Sequence, residues 1–377
     1  MARIRCGWCR KAARGGRDLR TRVKEPFIVA SWPSVPVEII RAAGFRAVFA
    51  RGASGPTPRA DQHLEPDVFP RRLRHLVEGA LTGRLTDAAR IVIPRTSDTD
   101  YKCFLYLREF VRRGVTSALP PVILFDLLQS HGAGVCVYDA ARTRALLDEL
   151  ASVSGRTPSA DDLHQEIARA NEARAAVRRL VAFRRAVPRV TGTELFPLLA
   201  AFWELEPERY VAAVNGAASA FAKRPALSGP RVLLTGVPVD GLGLHQAIES
   251  HGAIVVAEIG PWGDGAAGDD VRVDDDPVRA VADKYRADAV GARTPAASLR
   301  RWTERRLDDV DAVVVSLPPE DAVFGWDYPA LRDMLQARGI PHVRLRSDQY
   351  QALTPNEHAQ LEGMVCAAST LQEARHG

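Results

Sequence analysis

Short apolar runs recur along the chain, each stopped by Pro, Gly or small polar residues, with helical periodicity between them. Phe27–Ser31 is the first run, and Val35-Pro36-Val37-Glu38-Ile39-Ile40 opens a helix that stops at Gly44. Ala47–Ala50 predicts a strand, Arg71–Gly83 a basic amphipathic helix, Ile91–Ile93 a strand and Lys102–Arg113 a helix. Pro121–Asp126 and Gly134–Tyr138 are the next two strand candidates, the second with Cys136 as a buried strand residue. Strands alternating with helices imply a parallel sheet with right-handed crossovers.

The strand signal disappears from about Thr143 to Lys223. Ala160–Arg185 carries apolar residues at helical spacing among many Arg and Glu, and Leu195–Ala222 is apolar enough for a packed helical layer, with breaks at Pro188 and Ser228-Gly229-Pro230. A second sheet then follows, with strands at Arg231–Thr235, Ala253–Ala257, Asp311–Ser316 and Pro341–Leu345. Helices are expected at Asp276–Tyr285, Tyr328–Arg338 and Asn356–Gln372. The fold class is therefore α/β: two Rossmann-like domains with parallel sheets (25–142 and 228–377) joined by a helical connector (143–227), behind a basic tail (1–24).

Within this pattern Arg90–Tyr101 stands out. The β-branched run is stopped by Pro94, and small polar residues lead into a helix, which is where open α/β sheets place their ligands. Ser97 or Thr96 is placed to cap that helix.

Composition, 46% hydrophobic and 26% charged over 377 residues, is that of a globular chain long enough for two domains. The net charge of +5 misleads: Met1–Lys24 holds nine Lys/Arg against Asp18 alone, a balance of +8, which leaves the rest at −3. The basicity belongs to the tail, read as flexible or as an anion-binding arm, so no nucleic-acid partner is expected. No apolar run reaches the roughly 18 residues of a membrane span, and no secretory apolar segment follows Met1, so no membrane partner is expected. The five cysteines, Cys6, Cys9, Cys103, Cys136 and Cys366, form no disulfide framework, which fits a reducing cytoplasm. Cys6-Gly-Trp-Cys9 has the spacing of a redox or metal pair, but it lacks the further ligands a metal needs and sits in the tail before any strand, where a redox pair would not, so no metal site is expected.

Motifs for common chemistries fail one by one. Gly236-Val-Pro-Val-Asp-Gly241-Leu-Gly243 follows a strand, with Glu258 at 22 residues' distance, but its glycines do not match the dinucleotide fingerprint or a P-loop. Gly-x-Ser-x-Gly and His-Glu-x-x-His are absent. His245 and His251 do not share a helix face, and Asp274-Asp275-Asp276 reads as a solvated loop and helix start.

The order of the segments supplies what the motifs do not. Val35-Pro-Val-Glu-Ile-Ile-Arg-Ala-Ala-Gly44 resembles the opening of the 2-hydroxyacyl-CoA dehydratase and benzoyl-CoA reductase family. Glu78–Arg84 followed by Ile91-Val-Ile-Pro-Arg-Thr-Ser-Asp98 looks like that family's segment ending Pro-x-Thr-Cys-Asp, and Asn171-Glu-Ala-Arg174 its Asn-x-x-Arg. Asp276–Tyr285, Val310–Val315, Phe324-Gly-Trp-Asp-Tyr-Pro329 and Gly339–Arg346 resemble later segments, so the likeness runs colinearly over about residues 27–366.

The resemblance implies heterodimers of two related subunits, each with a 4Fe-4S cluster on three cysteines, and a separate ATP-dependent activator that delivers an electron. The acyl-CoA substrate then becomes a ketyl radical that loses water, or an aromatic ring is reduced. Carried over position by position, the cysteines are missing: the first falls near Pro70, the second on Ser97 and the third on about Asp321. No cofactor is expected in this chain, and the 4Fe-4S cluster is expected on a partner. The expected function is a cluster-free subunit that pairs, as a heterodimer, with a cysteine-bearing paralogue in an acyl-CoA lyase or reductase. The alternative is a stand-alone protein that binds or transforms an acyl thioester or small acid with Ser97, Asp98, Glu38 and Asp321.

Overall fold

A computed structural model describes residues 26–116, 119–130, 132–185, 187–288 and 294–376. The tail with Cys6 and Cys9 lies outside them. Two four-stranded sheets form, every strand pair parallel. The first contains β1 (Phe27–Ala30), β2 (Arg46–Phe49), β3 (Arg90–Pro94) and β4 (Val122–Phe125), in the order β2-β1-β3-β4. The second contains β5 (Arg231–Gly236), β6 (Ile254–Glu258), β7 (Ala312–Ser316) and β8 (His342–Leu345), in the order β6-β5-β7-β8. Strands β1, β6 and β7 are buried throughout, the edge strand β6 included, as the unbroken apolar runs require of a sheet covered on both faces. The two sheets repeat one winding, a duplication without any visible sequence repeat. In each, growth reverses beside the first strand, so crevices open at the carboxyl ends of β1 and β3 and of β5 and β7.

Crossover helices α1 (Val37–Ala42), α2 (Arg71–Leu81) and α3 (Asp98–Arg112) serve the first sheet. The connector holds α4 (Ala133–Ser154), α5 (Ala160–Ala182), α6 (Gly192–Ala200) and α7 (Pro207–Phe221). Helices α5 and α6 start at full capping boxes, Ser159 with Asp162 and Thr191 with Glu194. The second sheet carries α8 (Gly243–Ser250), α9 (Pro277–Asp288), α10 (Ala296–Glu304), α11 (Tyr328–Ala337) and α12 (Pro355–His376).

Two expectations are corrected. Gly134–Tyr138 is no strand but the start of α4, so Cys136 is a half-buried helix residue. The residues shielded along α4, Asp139, Thr143, Leu146, Leu147 and Leu150, step by three and four, and Val135 and Cys136 lie on the upstream continuation of that stripe. The helix therefore runs across the expected boundary at 142. Helix α10 fell in a stretch given no element, because its apolar residues are few among Arg and small side chains.

One apolar cluster joins both sheets and the connector, with Ile28 and Ile39, Ile167 and Val177, and Val232, Trp262 and Val281 as members. Each sheet keeps a smaller cluster on its other face, around Leu73, Ile93 and Leu107 in one and Val256, Val313 and Leu335 in the other.

Buried charges also hold the halves together. The Glu38 carboxylate accepts from Arg174 of α5 and, at 2.9 Å, from the Tyr285 hydroxyl of α9, while Arg174 Nη1 donates 2.8 Å to Asn171 Oδ1. Asn171 closes both ends of Val271, giving Nδ2–H to its carbonyl at 2.8 Å and taking its N–H at 3.0 Å. Burial alone would raise the Glu38 carboxyl, but Arg174 and Lys284 hold it below its usual range.

A second buried cluster centres on Glu258, which accepts 2.7 Å from Arg184 Nη1 and 2.6 Å from His245 Nε2; Arg184 also reaches Asp264 at 2.5 Å. Burial works against ionisation, yet His245 and Arg184 hold Glu258 at about 2, below the ordinary 4.5. A depressed carboxyl stabilises the fold above its unfolded value, and this contribution is lost as pH falls through the folded one. Urea midpoints should therefore fall steeply between pH 4.5 and 2, and Glu258→Gln should flatten that limb. An unchanged acid limb in the variant would refute the assignment.

Candidate functional site

The crevice of the first sheet is filled by charge. Asp100, in the first turn of α3 and fully buried, accepts from Arg72 Nη1 at 2.8 Å and Nη2 at 3.0 Å. Thr96 Oγ1 at 2.6 Å and Ser97 Oγ at 2.7 Å donate to the same carboxylate. Arg72 Nη1 also meets the Ser31 carbonyl at 3.0 Å, and its guanidinium lies 4.7 Å over the Trp32 ring. A guanidinium, a carboxylate and three hydroxyls so close the switch point between β1 and β3, the third being Ser31 Oγ at 3.4 Å.

Of the two candidate caps, Ser97 holds the role: its Oγ accepts the Asp100 N–H at 3.0 Å, and α3 starts at Asp98, earlier than the periodicity predicts. Thr96 donates instead to Asp100. Asp98 is exposed in the same first turn. Pro70 occupies the N-cap position of α2, two residues before Arg72. Asp321 accepts from the backbone N–H of Val323 at 3.1 Å, Phe324 at 2.9 Å and Gly325 at 2.7 Å, capping the 3-10 turn Phe324–Trp326. Glu38 stands apart, buried in the ion pair with Arg174.

Pro70 and Ser97 are brought to neighbouring helix starts by the Arg72–Asp100 contact. Asp321 approaches the same seam from the second domain. There Arg71 of α2 pairs with Asp348, and Glu320, beside Asp321, is raised chiefly by burial, with Asp348 adding to the rise and Arg74 opposing it. Asp240 closes the seam lower down, accepting the Gly52 N–H at 2.9 Å and the Tyr350 hydroxyl, while Arg51 Nη2 bonds the Asp240 carbonyl at 2.6 Å. The ring of Tyr350 fills the space over Gly52, where a Cβ would stand 2.4 Å from it.

These donors do not fit an iron–sulfur cluster. Proline offers no ligand atom, and the Ser97 hydroxyl and Asp321 carboxylate are hard donors already engaged as caps, where a cluster needs soft thiolates. The described cysteines do not replace them. Cys103 is buried in α3, its thiol pushed up to about 12 by burial and by Asp100; Cys136 Sγ takes an N–H from Arg286 at 3.0 Å; Cys366 is exposed on α12. Among the described residues no three His, Cys, Asp or Glu side chains form a metal-binding group.

The sequence reading missed Asp100, Arg72, Asp240 and Tyr350. Ser97-x-x-Asp100 has the spacing of half a capping box and carried a usable signal for Asp100. The other three act across long sequence separations, which periodicity does not register. Glu258, at the distance where a dinucleotide fingerprint would place an acid, is spent on Arg184 and His245.

A search of curated proteins finds no match. The family model described as 2-hydroxyglutaryl-CoA dehydratase, D-component, matches residues 34–365, which takes in both sheets apart from β1. The chain belongs to the 2-hydroxyglutaryl-CoA dehydratase D-component family.

Proposed function

We propose that this chain is the cluster-free subunit of a 2-hydroxyacyl-CoA dehydratase or benzoyl-CoA reductase-like complex. It pairs with a cysteine-bearing paralogue that holds the 4Fe-4S cluster, receives electrons from an ATP-dependent activator and carries the reaction of the acyl-CoA. This chain supplies the partner's docking face and part of the substrate enclosure. The observation that supports the reading is that Pro70, Ser97 and Asp321, the positions that correspond to ligand cysteines, are all used to start helical turns. At Ser97 and Asp321 a side-chain oxygen takes backbone N–H groups where a thiolate would hold metal, and Pro70 offers no ligand atom at all. Among the described residues no helix is long and apolar enough to cross a membrane, consistent with work on an acyl-CoA in aqueous solution.

Anaerobic co-purification with a family paralogue tests the proposal. The expected product is a stable heterodimer with about four irons per pair and absorption near ~400 nm that belongs to the partner. About eight irons per pair, or a monomer of this chain that turns over an acyl thioester alone, would overturn it.

A further inference from the structure

The crevice of the second sheet, between β5 and β7, is built differently from that of the first. Its walls are apolar, with Ile259, Leu299, Val315, Phe324 and Leu331 lining a cleft that opens to solvent. Thr235 and Gly236 at the end of β5, and Thr303 of α10, complete the inner part. A void of this make-up at a topological switch point is where an open α/β sheet takes a small molecule.

Two charges of opposite sign, Arg300 of α10 and Asp327 at the start of α11, also line it. Neither side chain makes an ion pair or a hydrogen bond with another described residue. The contrast with the first crevice is informative. There Arg72 and Asp100 neutralise each other and fill the space, whereas here the charges stand apart on an apolar cavity. A guest with a carboxylate for Arg300, an ammonium for Asp327 and a branched apolar body would satisfy all three features together.

The geometry points to a binding site for a free apolar α-amino acid of about the size of leucine in the second domain. The site belongs to this chain alone and stands whether or not the chain pairs with a cluster-bearing subunit. Specificity is divided among its parts. Arg300 reads the carboxylate, Asp327 reads the ammonium, and Leu299 with Phe324 and Leu331 encloses the side chain.

Calorimetric titration of the full chain with L-leucine, 4-methylpentanoate and 3-methylbutylamine separates these parts. Leucine should bind saturably, and each analogue, lacking one charge, about tenfold or more weakly. Arg300→Ala should bring leucine down to the level of 3-methylbutylamine and leave that amine unaffected; Asp327→Asn should do the same relative to 4-methylpentanoate. Leu299→Trp fills the void and should abolish all three. Arg300 is exposed, so its variant keeps the fold, and circular dichroism checks the tryptophan variant. Absence of saturable leucine binding up to about 10 mM, equal affinity for the three compounds, or binding that survives Leu299→Trp would overturn the assignment.

Discussion

Arg174→Ala is expected to lower the unfolding free energy by about 3–5 kcal/mol, the range for removing one partner of a fully buried ion pair. Both side chains of the pair are almost wholly shielded, at 1% for Arg174 and 0% for Glu38. The alanine leaves the buried carboxylate with the Tyr285 hydroxyl and the charge of Lys284 but without its direct ion-pair partner. The same change removes the Arg174 hydrogen bond that steadies Asn171, the residue that ties α5 to Val271. Glu38→Gln should cost less than Arg174→Ala, since an amide keeps hydrogen bonds without demanding a counter-charge. Joint replacement of Glu38 by Gln and Arg174 by Met should recover much of the single loss. Urea unfolding at neutral pH measures all three, and a loss below about 1 kcal/mol for Arg174→Ala would show the clamp to be unimportant.

Asp100→Ala should be similarly severe, about 3–5 kcal/mol, because the shielded Arg72 guanidinium then loses its counter-charge. Thr96 and Ser97 lose their acceptor at the same time. The damage should be local before it is global: hydrogen exchange in the first turn of α3 should accelerate more than in β3. Asp100→Asn keeps the shape but not the charge and should fall between wild type and alanine. If alanine leaves both stability and exchange unchanged, the crevice is not held by this carboxylate.

Most of the architecture was legible because it is local. Unbroken β-branched runs such as Val313–Val315 read as strands covered on both faces, and helices such as α5 carry their start signals within four residues of the first turn. The run Val135-Cys-Val misled for the same reason. Three apolar residues satisfy either period, and only the downstream stripe through Leu150 decides for helix. The candidate site was half legible. Order of segments pointed to Ser97, Pro70 and Asp321, and the local start signal gave Ser97 its cap. The role of Asp321 was not readable, since capping across a loop is visible only when the backbone N–H groups it meets are known. Glu38 looked like a catalytic carboxylate because its partners Arg174 and Tyr285 lie 136 and 247 residues away. Contacts of that separation leave no periodic trace.

The apolar cluster that joins both sheets through the connector has a mechanical consequence. Hinging the two halves apart would expose residues such as Trp262, Tyr285 and Val177 to water, at about 25 cal/mol for each Å² of apolar surface, and would break the Glu38 clamp in the same motion. The two halves are therefore expected to move as a single block. Any opening of the seam has to come from its rim, where the Asp348–Tyr350 segment covers Gly52, rather than from the body of either half.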